Sequence, residues 1–259
     1  LNIYRIKLIY YFDCSGIPGS TQVSINFQTS NGCTIPPITM PAIPQPPSNT
    51  LAVDVIPKCS PFLSNTCNTF SSTIRGVRRY VYAANVQFPK NCGIITMSYS
   101  SCCRSINGGP GTVTTMAPTS STSEYISAEF NSDLNSGNNS VKYNNFFYPT
   151  IGGGNKIYYN FGGDDNDNDS IVYSLFTPNV GPNGASLIFA TGYSESKPLT
   201  IQEPNILFDP QTGQMVFTPT NISEVTYLGV KATEYRRLKT ALGRDCLLYT
   251  SDAADDTPC

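Results

Sequence analysis

YRIKLIYYF, residues 4–12, sets Tyr4, Ile6, Leu8, Tyr10 and Phe12 on alternate positions, with Arg5 and Lys7 between them. Side chains two apart on a strand share one face, so this alternation is what a half-buried strand requires. The pattern returns in YVYAANVQF, residues 80–88, through Tyr80, Tyr82, Ala84, Val86 and Phe88. TQVSINFQ (21–28), GIITMSYSSCC (93–103) and EYISAEF (124–130) read as further strands. So do NKIYYNF (155–161), SIVYSLF (170–176), SLIFATGY (186–193), NILF (205–208), QMVF (214–217) and VTYLGVKATEY (225–235). No long segment has helical periodicity.

Punctuation between these runs fits the same scheme. DPQTG, residues 209–213, predicts a hairpin turn: Pro210 presets φ, and Gly213 takes a left-handed position. IPPITMPAIPQPP, residues 35–47, holds six prolines, which forbid a central strand and favour an extended surface crossing. Many short strands at roughly ten-residue spacing predict an all-β chain built of β-sandwiches. The Asn- and Gly-rich run from Asn135 to Asn139 marks a boundary, giving one module over residues 1–140 and a second over 141–245.

Residues 246–255, CLLYTSDAAD, depart from the style of the rest and match the translation of a transposase sequencing adapter. Residues 246–259 are therefore expected to be a non-native tail. Without them the chain carries 16 basic and 15 acidic groups and seven cysteines. The second sandwich is then expected to lack most of its last strand. CLLYT would partly fill the gap, and SDAADDTPC would hang free.

Composition removes several functions. The chain of 259 residues has no His and no Trp. Ser-His-Asp and Cys-His nucleophiles are excluded with His, as are His-ligated metals. The formal charge of −2 supplies no basic field for nucleic acid, and no apolar run reaches membrane-spanning length. Glu129, Glu195, Glu203 and Glu234 are scattered carboxylates that nothing in the sequence pairs for glycoside hydrolysis. No catalytic residue is expected, and the protein is read as a non-enzyme. Its 16 tyrosines allow a sugar-stacking surface, although most alternate along strands as core residues do.

The acids gather in one place. GGDDNDNDSIVYSL, residues 162–175, holds Asp164, Asp165, Asp167 and Asp169. An EF-hand beginning at Asp165 fails, since Ser170 stands where Gly is needed and Phe176 where Glu is needed. A calcium loop on a β-sandwich remains: alternate aspartates on an extended loop point one way and offer hard oxygen ligands. Asp165, Asp167 and Asp169 are the expected ligands, against a solvated acidic turn as the alternative. Cys14, Cys33, Cys59, Cys67, Cys92, Cys102 and Cys103 read as a disulfide framework, because their spacings and the absence of His do not make a zinc site. The short spacing of Cys59 and Cys67 makes them the easiest local pair to propose.

Several segments together resemble large secreted proteins of Bacteroidota described as gliding-motility-associated or type IX secretion cargo. They are YFDCSG (11–16), YVYAANVQFPKNC (80–92), SSCCR (100–104), DDNDNDSIVYSLFTP (164–178), FDPQTGQMVFTP (208–219) and VKATEYRRLKTALGRD (230–245). Phe12 stands where such proteins usually have Arg, and Asn168 where their acidic loop has Gly. The resemblance implies immunoglobulin-like or cadherin-like sandwiches in an extracellular or cell-surface protein that serves adhesion or display. Its partner would be a cell-surface or extracellular-matrix ligand, a glycan among the candidates. The alternative is a carbohydrate-binding accessory module of a secreted enzyme.

Overall fold

Alternation in residues 4–12 is realised as β1 (Ile3–Asp13), whose odd-numbered residues from Ile3 to Ile9 are exposed while Tyr4, Ile6, Leu8 and Tyr10 are half-buried. The computed structural model describes residues 3–55, 64–68, 76–102, 104, 113–120, 122–133, 138–145, 151–182, 184–239 and 245–258. Among them every regular element is a strand, the sheets are antiparallel, and no helix is long and apolar enough to cross a membrane. The chain divides into two compact units, Leu1–Asn26 with Ile35–Lys90, and Phe27–Thr34 with Asn91–Cys259.

β1 is followed by β2 (Gln22–Thr29), of which residues 22–26 belong to the first unit, and then within that unit by β3 (Ile38–Pro41), β4 (Ala52–Asp54) and β5 (Val77–Gln87). β5 lies between β1 and β4. Its register sets Tyr10 opposite Tyr80, Leu8 opposite Tyr82 and Tyr4 opposite Val86, so the two alternating runs meet face to face. Tyr82 is fully buried and its hydroxyl donates to the Ser20 carbonyl at 2.7 Å. The proline-rich crossing supplies β3, which pairs with β2 over Ile38–Pro41 and stands last in its sheet. An edge is where a strand tolerates proline, because one side of it needs no donors.

The second unit contains β6 (Ile94–Ser101), β7 (Glu124–Asn131), β8 (Lys142–Tyr143), β9 (Ile157–Asn160), β10 (Gly163–Asp164), β11 (Ser170–Phe176), β12 (Leu207–Phe208), β13 (Gln214–Phe217), β14 (Tyr227–Lys239) and β15 (Asp245–Pro258). Its largest run of neighbours is β11-β14-β15-β7-β6. A smaller sheet runs β12-β13-β9, and β10 pairs with β8. The turn between β12 and β13 is the expected one. Gly213 has φ 70°, its N–H donates to the Asp209 carbonyl at 2.8 Å, and Asp209 Oδ1 accepts the Gln211 N–H. The core beside this sheet holds Met215, Phe217, Leu228 and Phe161.

Four expectations change. Residues 91–140 fall in the second unit, because β6 and β7 pair with one another and β7 pairs with β15. Asn138 and Asn139, the described end of the Asn/Gly-rich run, belong to that unit. SLIFATGY forms only isolated bridges, such as Met116 with Phe189 and Asn179 with Ser186. Leu187 there is buried against Val113, Met116 and Tyr227, so its apolar content serves packing without a ladder. The tail does not hang free: β15 pairs with β14 from Lys239↔Asp245 to Tyr227↔Pro258, with a bulge at Glu234/Tyr235. The open backbone groups of a long strand template pairing with little demand on side-chain identity.

The fourth concerns cysteines. Cys67 is bonded to Cys14, with Cα atoms 4.9 Å apart, and Cys33 to Cys92, at 5.5 Å. Pairing of β1 with β5 brings Cys14 beside Gly76, whose carbonyl accepts the Cys14 N–H at 2.9 Å. A Cβ at Gly76 would run into Cys67 Sγ, so only glycine leaves room for the sulfur. Cys102 is disulfide-bonded as well, while Cys59 and Cys103 lie outside the described residues. Two intramolecular disulfides fit an oxidising compartment.

Candidate functional site: an acidic loop closed on an arginine

Gly163 and Asp164 pair with Tyr143 and Lys142, which sets Asp164 beside a lysine. The chain then turns before β11 begins at Ser170. Asp165 caps that turn. Its Oδ2 accepts the Asp169 N–H at 2.6 Å, and its carbonyl accepts the Asn168 N–H at 3.4 Å. Asn168 has φ 59°, a left-handed conformation that glycine adopts freely and that asparagine tolerates better than most residues.

Register between β11 and β14 aims the next contacts. Ser170 lies opposite Tyr235 and Ile171 opposite Glu234, so Arg236 reaches the residue preceding β11. Its Nε donates to Asp169 Oδ1 at 2.9 Å and its Nη2 to Asp169 Oδ2 at 3.0 Å, a two-pronged grip. The same Nη2 lies 3.5 Å from Asp167 Oδ2 and donates to Asn138 Oδ1 at 2.6 Å. Hydrogen bonding to Asp169 raises the guanidinium pKa above its ordinary value. Asp167 is also held from the other side: the Asn139 N–H donates to its Oδ2 at 2.5 Å and Asn139 Nδ2 to its Oδ1 at 3.1 Å.

Glu234, two residues before Arg236, is 1% exposed. Asn138 Nδ2 donates to its Oε2 at 3.2 Å. Burial pushes its carboxyl up to about 8, with the Asp165 and Asp169 charges adding to the rise and the Asn138 hydrogen bond opposing it. Asp165 Oδ1 is buried without a hydrogen bond.

Of the three expected calcium ligands, Asp167 and Asp169 converge on Arg236, while Asp165 turns back on the loop backbone. Among the described residues no group of three or more His, Cys, Asp or Glu could hold a metal ion. The loop's concentration of charge is met by a guanidinium and by backbone and amide donors. Arg236, Asn138 and Asn139 were not singled out from the sequence. EYRR, with Glu234 and Arg236 two apart on one strand face, was the available signal.

The other glutamates weighed for glycoside hydrolysis are separately occupied. Glu129 accepts from Thr96 and Tyr249, Glu195 from Thr177, and Glu203 from the Thr218 N–H and hydroxyl. A cavity of about 20 Å³ with an apolar lining lies among Tyr159, Met215, Phe217 and Leu228. Comparison of the chain with protein-family models, with curated proteins and with solved structures finds no match.

Proposed function

We propose that this chain is a structural and adhesive part of an extracellular or cell-surface bacterial protein, its sheets arranged as immunoglobulin-like or cadherin-like sandwiches. The observation that carries the reading is how the polar groups are used. Acidic side chains that would equip a reactive site are bound to the protein's own donors: Glu203 to Thr218, Glu224 to Thr200, Tyr193 and Asn221, and Asp169 to Arg236. Disulfides in both units add cross-links suited to an exposed protein. The resemblance to gliding-motility and type IX secretion cargo points the same way. Beads coated with the oxidised protein should adhere to surfaces bearing matrix proteins or glycans, and lose adhesion when reduced. Absence of adhesion together with turnover of a glycan or ester substrate would overturn the reading.

A second reading, carbohydrate binding, has one observation of its own. Tyr158, Val216 and Leu207 lie side by side across β9, β13 and β12, and Tyr158 is 66% exposed. A tyrosine ring presented on a flat sheet face can stack on a sugar. Glycan-array binding lost in Tyr158→Ala would favour this reading.

A further inference from the structure

We propose that one face of the sheet formed by β1 and β5 is a binding site for an acidic polysaccharide, seated through the carboxylate of a uronate residue. Strand register assembles it. Arg5 lies opposite Asn85 and Lys7 opposite Ala83, and side chains opposite one another in an antiparallel ladder share a face. Arg5, Lys7 and Asn85 are exposed. A basin of about 350 Å³ opens among Arg5, Ile43, Ala83, Ala84 and Asn85, and alanine at 83 leaves the hollow between its larger neighbours. Ile43 is held beside it by its N–H, which donates to the Val81 carbonyl at 2.8 Å. Both cations stand without a counter-charge: among the described residues neither Arg5 nor Lys7 has a carboxylate or other acceptor as partner. The first unit's sequence holds seven basic residues against two acids, although the whole chain is formally −2. Those acids are engaged elsewhere, Asp13 by the Ser15 N–H at 2.8 Å and Asp54 by Asn65 Nδ2 at 2.8 Å. An anion approaching this face therefore meets a positive field.

The lining suits a sugar acid. A guanidinium offers paired donors in one plane, which match the two oxygens of a planar carboxylate. Asn85 carries an amide donor and an amide acceptor for ring hydroxyls. Ile43 and Ala83 give the C–H face of a ring an apolar surface, and the volume is that of a small-molecule pocket. Lys7, next on the same face, offers a second cation to a neighbouring uronate along a linear chain. A peptide strand is less suited. β1 covers one edge of β5 from Ile3↔Gln87 to Asp13↔Val77, and Ala42 and Ile43 hold the other at Tyr82 and Val81. This site rests on the adhesive reading, to which it adds a ligand class and a place, and it is separate from Tyr158, which lies in the second unit.

The test uses the full oxidised chain in affinity electrophoresis, with polygalacturonate and alginate as probes and dextran and dextran sulfate as controls. The two polyuronates should be bound and neutral dextran should not, and binding should weaken as NaCl is raised. Arg5→Gln should weaken it by about tenfold or more, Lys7→Gln by less, and Ala83→Leu, which fills the basin, should abolish it. Arg5 and Lys7 are exposed, so their variants should melt like the unmodified chain. Lys156→Gln, an equal loss of charge at an exposed residue of the second unit, should change nothing. Equal weakening by Lys156→Gln, or tighter binding to dextran sulfate than to either polyuronate, would reveal diffuse attraction of polyanions and overturn the site. Failure to bind both polyuronates would overturn it as well. Beads that still adhered to matrix surfaces would then leave the adhesive reading standing, whereas loss of both activities would remove the two together.

Discussion

Arg236 holds Asp169 through two hydrogen bonds, Nε to Oδ1 at 2.9 Å and Nη2 to Oδ2 at 3.0 Å, across 67 residues of chain. The Asp169 side chain is 4% exposed and that of Arg236 is 23% exposed. An aspartate so buried needs a counter-charge, since an isolated ion in that setting loses several kcal/mol of hydration. Arg236→Met should therefore destabilise the chain by about 2–3 kcal/mol, below the range for fully buried pairs because the arginine is partly solvated. Urea unfolding of the two proteins measures the difference, and a loss under about 0.5 kcal/mol would show the pair to be ornamental.

The same relationship frames the calcium question. A divalent cation reaches Asp167 and Asp169 only in competition with Arg236, so removing the guanidinium should improve the site. Millimolar Ca²⁺ against EDTA should raise the melting temperature more in Arg236→Met than in the unmodified chain, because a ligand bound by the native state stabilises it by mass action. Equal responses in both proteins would place any calcium away from this loop.

A buried carboxyl, Glu234, and a half-buried one, Glu124, predict an uncommon pH dependence. Burial raises Glu124 from 4.5 to about 7, and raises Glu234 from 4.5 to about 8. The folded state thus holds these protons more tightly than the unfolded chain does. Their stabilising effect is complete below the unfolded value near 4.5 and is lost as pH rises through about 7 and about 8. Stability should fall between about pH 5 and pH 8 by on the order of a few kcal/mol. Glu124→Gln should flatten the lower part of that slope, and a stability that instead climbs over this interval would refute the assignment.

What was legible in the sequence is what short-range patterns encode. Alternation in residues 4–12 and 80–88 foretold β1 and β5; it holds along β1 from Ile3 to Tyr10, while Val81, Tyr82 and Ala83 of β5 are buried in succession. Pro210 and Gly213 foretold a turn because φ at those positions is set locally. Long-range matching was not legible. The meeting of Asp169 with Arg236 follows from the register of β11 on β14, and SLIFATGY has strand composition but spends its apolar residues on packing. Nothing local distinguishes these outcomes.

Cysteine pairing is also a long-range result, and it is checkable. Peptide mapping of the unreduced protein should recover Cys14 joined to Cys67 and Cys33 joined to Cys92. These bonds close loops with sequence separations of 53 and 59 residues. A loop of that size restricts the unfolded chain by about 4 kcal/mol in the chain-entropy model. Cys14→Ser should therefore destabilise the protein by roughly that amount. Recovery of a Cys59–Cys67 peptide from native protein would contradict the pairing.

The final strand gives the sharpest outcome. At Ser251, Asp252 and Ala253, β15 is paired on both sides, to Glu234, Thr233 and Ala232 of β14 and to Phe130, Glu129 and Ala128 of β7. A strand with neighbours on both sides uses its backbone N–H and C=O groups in ladders, so its removal exposes two new edges at once. Proline at such a position deletes a ladder donor and crowds the adjacent strand, a loss of about 3 kcal/mol or more. Ala253→Pro should therefore unfold the sheet or lower its stability by that amount, whereas proline at Thr257, outside the stretch paired with β7, should cost less. Hydrogen exchange adds the local readout: amides of Thr233 and Ala128 should lose protection in Ala253→Pro. If Ala253→Pro melts like the unmodified chain and those amides exchange no faster, β15 does not lie between β14 and β7 in solution.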